Sequence, residues 1–306
     1  MKKWILPALL LALLSACQRP QNDNPSAAVV ALVMKTLNNP FFMDMQQGAE
    51  EAAGTLQLQL LVQAPEREID VEKQMQIIEN LIQRKVAAIC VTPSGSREII
   101  PAIVKANRAN IPVLILDTRV DSSALAEAGG LIATFIGSDN FDGGRLAGRF
   151  IIEKLRGKGL VAVLEGIPGH ETGDARLHGF HHEVDPVPGI RIVASQTANW
   201  ERDQGYNVFQ NILQSQPNLH AVFACNDIMA LGAVEAIAAA NRRGQILVVG
   251  FDAISDAREA IRNGAMTASI AQNPRAMGKL AVEYAQRVIR GETIPAYVPV
   301  QIELIQ

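Results

Sequence analysis

The residues of this 306-residue chain that could do chemistry recur in one kind of place, directly after a short apolar run. The run ending at Val33 is followed by Lys35, Asn39 and the adjacent aromatics Phe41 and Phe42. Asp117 closes IPVLILD, and Thr118 follows it. Arg176 stands at the end of the loop GIPGHETGDAR, Trp200 lies in ANWERD, and Asn226 and Asp227 follow AVFAC. Asp252 closes VVGFD and Gln272 closes ASIAQ. Taken singly, each has a structural explanation. The phenylalanines could be a helix-entry staple, Asp117 a turn carboxylate, Arg176 a solvated surface group and Trp200 a core residue. Asn226 or Asp227 could simply cap a helix. Together they put a planar polar group or an aromatic ring at most strand ends. That set suits carbohydrate. A sugar hydroxyl both donates and accepts, so carboxylates, amides and guanidinium groups that orient two bonds each meet it best. The C–H face of a pyranose is apolar and lies flat on rings such as Phe41, Phe42 or Trp200.

Other chemistries leave no signature. The sequence has no G-x-G-x-x-G after a strand, no G-x-x-x-x-G-K-[ST], no G-x-S-x-G and no C-x-x-C. His178, His181 and His182 have metal-capable helical spacing, but without an evident acidic third ligand they read as a polar helix face, so no metal and no cofactor is expected. Asp117 and Asp252 could form the acid/base pair of a glycosidase, although nothing in the sequence separates their environments.

The elements that must position these residues alternate in type. Near-continuous apolar runs at 28–33, 56–62, 86–92, 111–117, 132–137, 159–166, 190–195, 220–226, 246–252 and 266–271 read as strands buried on both faces. Longer helical patterns separate them. In 70–83, Val71, Met75, Ile78 and Ile82 fall on one face, with Asp70 placed as the N-cap. Such alternation means parallel sheets with right-handed crossovers. Ten strands overshoot the eight of a (β/α)₈ barrel, so two doubly wound α/β domains are expected. Open sheets of this kind take ligands in the crevice beyond the carboxyl ends of their strands, which is where the candidate residues stand.

Composition agrees with a folded, non-nucleic-acid-binding protein. The chain is 48% hydrophobic and 19% charged, with net charge −3 and no basic run. Residues 1–17 carry Lys2 and Lys3 before an apolar stretch too short to span a bilayer comfortably, as an export signal does. It ends Leu14-Ser15-Ala16-Cys17, similar to the bacterial lipobox in which the cysteine is lipidated and becomes the mature N-terminus. Residues 18–27 read as a flexible tether. The expected location is therefore the periplasm or cell surface, anchored to a membrane by lipid and not by a spanning helix. Cys90 and Cys225 lie in apolar runs and are expected as buried thiols.

At these positions the sequence resembles the type I periplasmic binding proteins of ribose- and allose-type sugar transporters. The segments KTLNNPFF, NIPVLILD, SDNFDGG, ASQTANW, VFACNDIMALGA, VVGFD and AQNP match that family in order and spacing, from about residue 28 to the end. The resemblance implies two Rossmann-like lobes joined by a three-strand hinge near Ser138, Gln272 and Gln301. One lobe would be 28–138 with 273–301, the other 139–272 with 302–306. It carries ligand positions to Asn39, Phe41, Phe42, Asp117, Arg176, Trp200, Asn226, Asp252 and Gln272. It implies a monomeric, non-enzymatic receptor that closes on a monosaccharide and delivers it to a membrane ABC permease. The alternative is a ligand-sensing module for a chemoreceptor or sensor kinase. Two positions depart from the ribose-type pattern: Lys35 replaces a serine and Thr118 an arginine. Thr118 would leave room beside the sugar, and Lys35 would add a donor at the opposite strand end. An allose- or psicose-like hexose is therefore expected over ribose, unless Arg119 swings in to refill the space.

Overall fold

The computed structural model describes residues 28–306; the expectations for the export signal, Cys17 and the tether lie outside the described residues. The first lobe begins β1 (Val29–Val33), α1 (Pro40–Leu56), β2 (Gln59–Gln63), α2 (Val71–Gln83), β3 (Ala88–Val91), α3 (Ile100–Arg108), β4 (Val113–Leu116), α4 (Ser122–Glu127) and β5 (Thr134–Gly137). The second follows with α5 (Asn140–Lys154), β6 (Gly159–Glu165), α6 (Glu171–Val184), β7 (Ile190–Thr197) and α7 (Arg202–Ser215). It continues through β8 (Ala221–Ala224), α8 (Asp227–Ala239), β9 (Leu247–Asp252), α9 (Ser255–Arg262) and β10 (Ala268–Ala271). The chain then returns to the first lobe for α10 (Pro274–Ile289) and β11 (Tyr297–Pro299), and ends in the second with β12 (Glu303–Ile305).

Each sheet has six strands, in the orders β11-β5-β4-β3-β1-β2 and β12-β10-β9-β8-β6-β7. All pairings are parallel except β10 with β12. The apolar runs are explained by this layering. Along β1, Val30 and Leu32 enter the core beneath α1 and α10, while Ala31 and Val33 enter the one beneath α2 and α3. A strand with a period-2 pleat and helices on both faces has no face left for polar residues. In the first sheet the winding reverses between β1 and β3, and in the second between β6 and β8. The crevice at the carboxyl ends opens at these switch points, and the two crevices face each other.

Three features depart from the sequence expectations. Two further short strands, β11 and β12, exist among the described residues. Asp70 precedes α2 but its side chain caps nothing; it accepts instead from the Arg67 backbone N–H and guanidinium. Within α2, the fully buried Gln74 donates to the carbonyls of Met34 and Thr92 and accepts from the Ser94 N–H. An amide thus replaces an apolar residue because it ties together the loops leaving β1 and β3. Cys90 and Cys225 are buried free thiols, each pushed up to about 12 by burial. His181 and His182 lie on the outer face of α6 beside Asp185 and Glu183.

Candidate functional site

A tight cavity of only about 20 Å³ lies between the lobes, much smaller than the roughly 300–1,000 Å³ usual for small-molecule sites. The first lobe lines it with Lys35, Asn39, Phe41, Phe42, Glu68 and Asp117, and the second with Thr172, Arg176, Trp200, Asn226 and Asp252. Nine of the eleven residues named from the sequence therefore meet around one space. The other two stand directly behind it: Thr118 donates to Asp117 Oδ2 at 3.0 Å, and Gln272 donates to Asp252 Oδ1 at 2.8 Å.

Local structure aims each group. Asn39 caps α1 through the Phe41 N–H and donates to Glu68 Oε1 at 3.2 Å. Phe41 and Phe42 then leave the first turn edge to face, their centroids 5.3 Å apart; they serve both the core and the cavity wall. Asn226 caps α8 by accepting from the Met229 N–H. Asp117, Trp200 and Asp252 have φ of 60°, 67° and 107°. Left-handed backbone at non-glycine residues costs on the order of 1–3 kcal/mol each and persists where the surroundings demand it; here it turns three strand-end side chains into the cleft. The Trp200 ring lies against Gly166, where an added Cβ would stand 1.9 Å from Cζ2.

The charges are buried and mutually held. Arg176, only 4% exposed, donates from Nε to Asn140 Oδ1 at 2.9 Å and from Nη1 to the Cys225 carbonyl at 2.7 Å. Its guanidinium lies 3.8 Å from the Phe251 ring centroid and 3.6 Å from Asp252 Oδ1. Across the cavity Lys35 pairs with Asp117 at 3.2 Å. Lys35 thus does not stand apart from the Asp117–Thr118 strand end, because only β3 separates β1 from β4 and the lysine and aspartate side chains together bridge that gap of about 10 Å. Arg119 does not refill the space beside Thr118; its guanidinium stacks over Phe135 at 3.9 Å and Tyr297 at 4.7 Å. Burial pushes the Asp252 carboxyl up to about 7 against the opposing pull of Arg176, and burial also raises Glu68. Two cations face three carboxyl groups in the cavity, so its charges are close to balanced. Such a site favours an uncharged ligand rich in hydroxyls over an anion. Asp117 and Asp252 are each tied to a cation and a second donor.

Two wall residues escaped the sequence reading, Thr172 in the first turn of α6 and, more instructively, Glu68. It follows β2, so the strand-end rule that picked out the others applied to it, but the polar loop APEREID looks like solvated surface. Asp227, fully buried behind Asp252, accepts from Ser269 Oγ at 2.7 Å and from the Ile254 N–H at 2.9 Å, and so holds the turn that follows Asp252.

Comparison with known proteins gives a consistent picture. Residues 30–293 match the family described as periplasmic binding protein domain. The D-allose-binding periplasmic protein of Escherichia coli K12 is 38% identical over 83% of this chain and 82% of its own length. The ribose import binding protein of Bacillus subtilis is 36% identical over 98% and 97%. Among solved structures, an ABC transporter periplasmic solute binding protein from Actinobacillus succinogenes with bound D-allose superposes with TM-score 0.87 at 42% identity, covering 91% of this chain and 97% of that one.

Proposed function

The chain belongs to the periplasmic binding protein family, and from that premise we propose that it is an ABC-importer receptor holding a single hexose between its lobes. The observation that carries this reading is the lining of the cavity: Phe41 and Phe42 on one lobe and Trp200 on the other, rimmed by planar polar groups from both. Stacked rings take the C–H faces of a pyranose, and the amides, carboxylates and guanidinium take its hydroxyls. Asn39, Phe41, Phe42, Asp117, Arg176, Trp200, Asn226 and Asp252 contact the sugar, with Lys35 and Glu68 at its edge. Thr118 and Gln272 act by fixing Asp117 and Asp252. The protein works as a monomer and releases its ligand unchanged to a membrane permease.

Hexose preference rests on the Lys35–Asp117 pair. Allopyranose matches ribopyranose at the shared ring carbons and adds one hydroxymethyl group. With Arg119 stacked away and Thr118 turned to Asp117, no arginine side chain is set against that group. Lys35 can donate to its hydroxyl, and a site built to pair a hydroxyl discriminates strongly against ligands lacking one. The D-allose ligand of the Actinobacillus structure supports this choice. Calorimetry with D-allose, D-psicose and D-ribose on one preparation is expected to rank both hexoses above ribose. Ribose binding as tightly as either hexose refutes the role given to Lys35 and Thr118.

The mature protein is carried at the membrane by lipid on Cys17. Among the described residues no helix is long and apolar enough to cross a membrane, and Leu14-Ser15-Ala16-Cys17 is the feature that supplies an anchor. Native protein is expected in the detergent phase of a Triton X-114 partition, and Cys17→Ser in the aqueous phase. Wild-type protein in the aqueous phase with an unmodified Cys17 removes the anchor from the account.

A further inference from the structure

One titratable side chain at the closed cleft belongs to neither the ligand wall nor the helix surfaces. His170 lies at the N-terminal end of α6, in the second lobe, and is buried against the first. Its Nδ1 accepts from the Trp200 indole N–H at 3.5 Å, and its ring also reaches the Ser94 backbone of the opposite lobe. Its neighbour Glu171 makes two further bonds between lobes. The Glu171 N–H donates to Ser96 Oγ at 3.3 Å, and Glu171 Oε2 accepts from the Arg119 N–H at 3.4 Å. We propose that His170 is an acid-sensitive closure contact, a neutral ring wedged between Trp200 and the facing lobe that must shed its proton before the lobes can shut on a sugar. It is a positioning residue, and the proposal rests on the receptor reading given above.

Chemistry sets the direction. A protonated imidazole has two donors and no acceptor, so it cannot receive the Trp200 N–H; that bond lies within the second lobe, and what differs on closure is the burial of the ring against the first. Charges facing the ring come from Lys35 after β1 and Asp117 after β4, and these two are paired with each other. On its own element Glu171 turns its carboxylate to Arg119, and Asp174 lies one turn along. Burial first, and Lys35 second, hold the closed-state ring down to about 4 from its ordinary 6.5, against the opposing pull of the Ser94 backbone bond and of Asp117. Opening returns the ring to water. The closed state therefore binds fewer protons, and affinity is fully present above about pH 6.5 and is lost as pH falls towards 4. Between pH 8 and pH 5 the loss attributable to this ring is about thirtyfold. Asp252 and Glu68, raised in the closed site, work in the opposite sense, so the contribution of His170 is read as a difference between proteins.

The test is calorimetry with D-allose and D-ribose at pH 8 and pH 5 on the wild type and His170→Asn, which keeps an acceptor at the Nδ1 position and cannot titrate. The wild type is expected to lose about thirtyfold more affinity across that range than the variant; identical pH dependence in both overturns the proposal. His170→Gln is the second variant if His170→Asn does not fold. If neither sugar binds at either pH, the receptor reading for those sugars fails, and the His170 proposal is judged on fluorescence. In the full chain carrying Trp4→Phe, Trp200 is the sole tryptophan. Its emission is expected to change with pH in the presence of His170 and to be flat in His170→Asn. The same emission titration in both overturns the proposal independently of any sugar.

Discussion

Arg176→Met is expected to reduce sugar affinity by two orders of magnitude or more while leaving a folded protein. The guanidinium donates to Asn140 Oδ1 and to the Cys225 carbonyl and has an ion-pair partner in Asp252, all at a side chain almost fully buried. Removing one member of a buried, hydrogen-bonded charge pair costs about 3–5 kcal/mol, because the remaining charge is left without compensation. Were most of that felt by the closed, liganded state, affinity would fall by roughly two to four orders of magnitude. Methionine fills much of the space and can still lie over the Phe251 ring, so the loss falls mainly on polar groups. The Asp252 carboxyl, already pushed up to about 7 with Arg176 pulling it down, should rise further and be neutral at pH 7. This relieves part of the cost to the fold but removes an acceptor from the site. Adding Asp252→Asn should accordingly recover melting temperature without recovering binding. A folded Arg176→Met protein with wild-type affinity in calorimetry would contradict the placement of the guanidinium.

Trp200→Ala is the second large effect, about 2 kcal/mol or roughly thirtyfold in affinity. The indole is the aromatic wall of its lobe, 5% exposed and laid against the loop at Gly166. Its backbone carbonyl accepts from Asn226 Nδ2 at 3.4 Å and its φ is left-handed, so the main chain is held apart from the ring. Truncation should therefore remove stacking area from the site and, because the ring is also buried in the core, lower the melting temperature of a protein that still folds. Trp200→Phe should recover most of the loss, since a flat apolar ring is the property in question. Wild-type affinity in a folded Trp200→Ala protein would make the ring a core residue only.

Much of this site was legible from residue type and position alone. The long apolar runs were visible because each strand is covered by helices on both faces, and the placing of Asp117, Asp252 and Gln272 followed from where those runs stop. What stayed hidden depends on contacts distant in sequence. Glu68 is a wall residue because Asn39, 29 positions earlier, draws its carboxylate inward. Gln74 breaks the apolar face of α2 because three backbone groups outside the helix require an amide there. β11 and β12, three residues each, pair at the sheet edges and carry too little apolar sequence to show a pattern; in β11 only Val298 is buried. The Lys35–Asp117 pair depended on strand order, which spacing along the chain does not reveal.

The central claim is that one small ligand is enclosed by groups from both lobes, Asp117 from one and Arg176 with Asp252 from the other. Between the two sheets the chain passes at 138–139, at 272–273 and at 300–302, and we propose that closure is a rotation about these three segments, driven by tighter binding to the shut form. Small-angle X-ray scattering on one preparation, with and without saturating D-allose, measures it directly. The account predicts a smaller radius of gyration with sugar, and a profile that matches the closed structure. Calorimetric saturation with an unchanged radius would show a rigid site and contradict it.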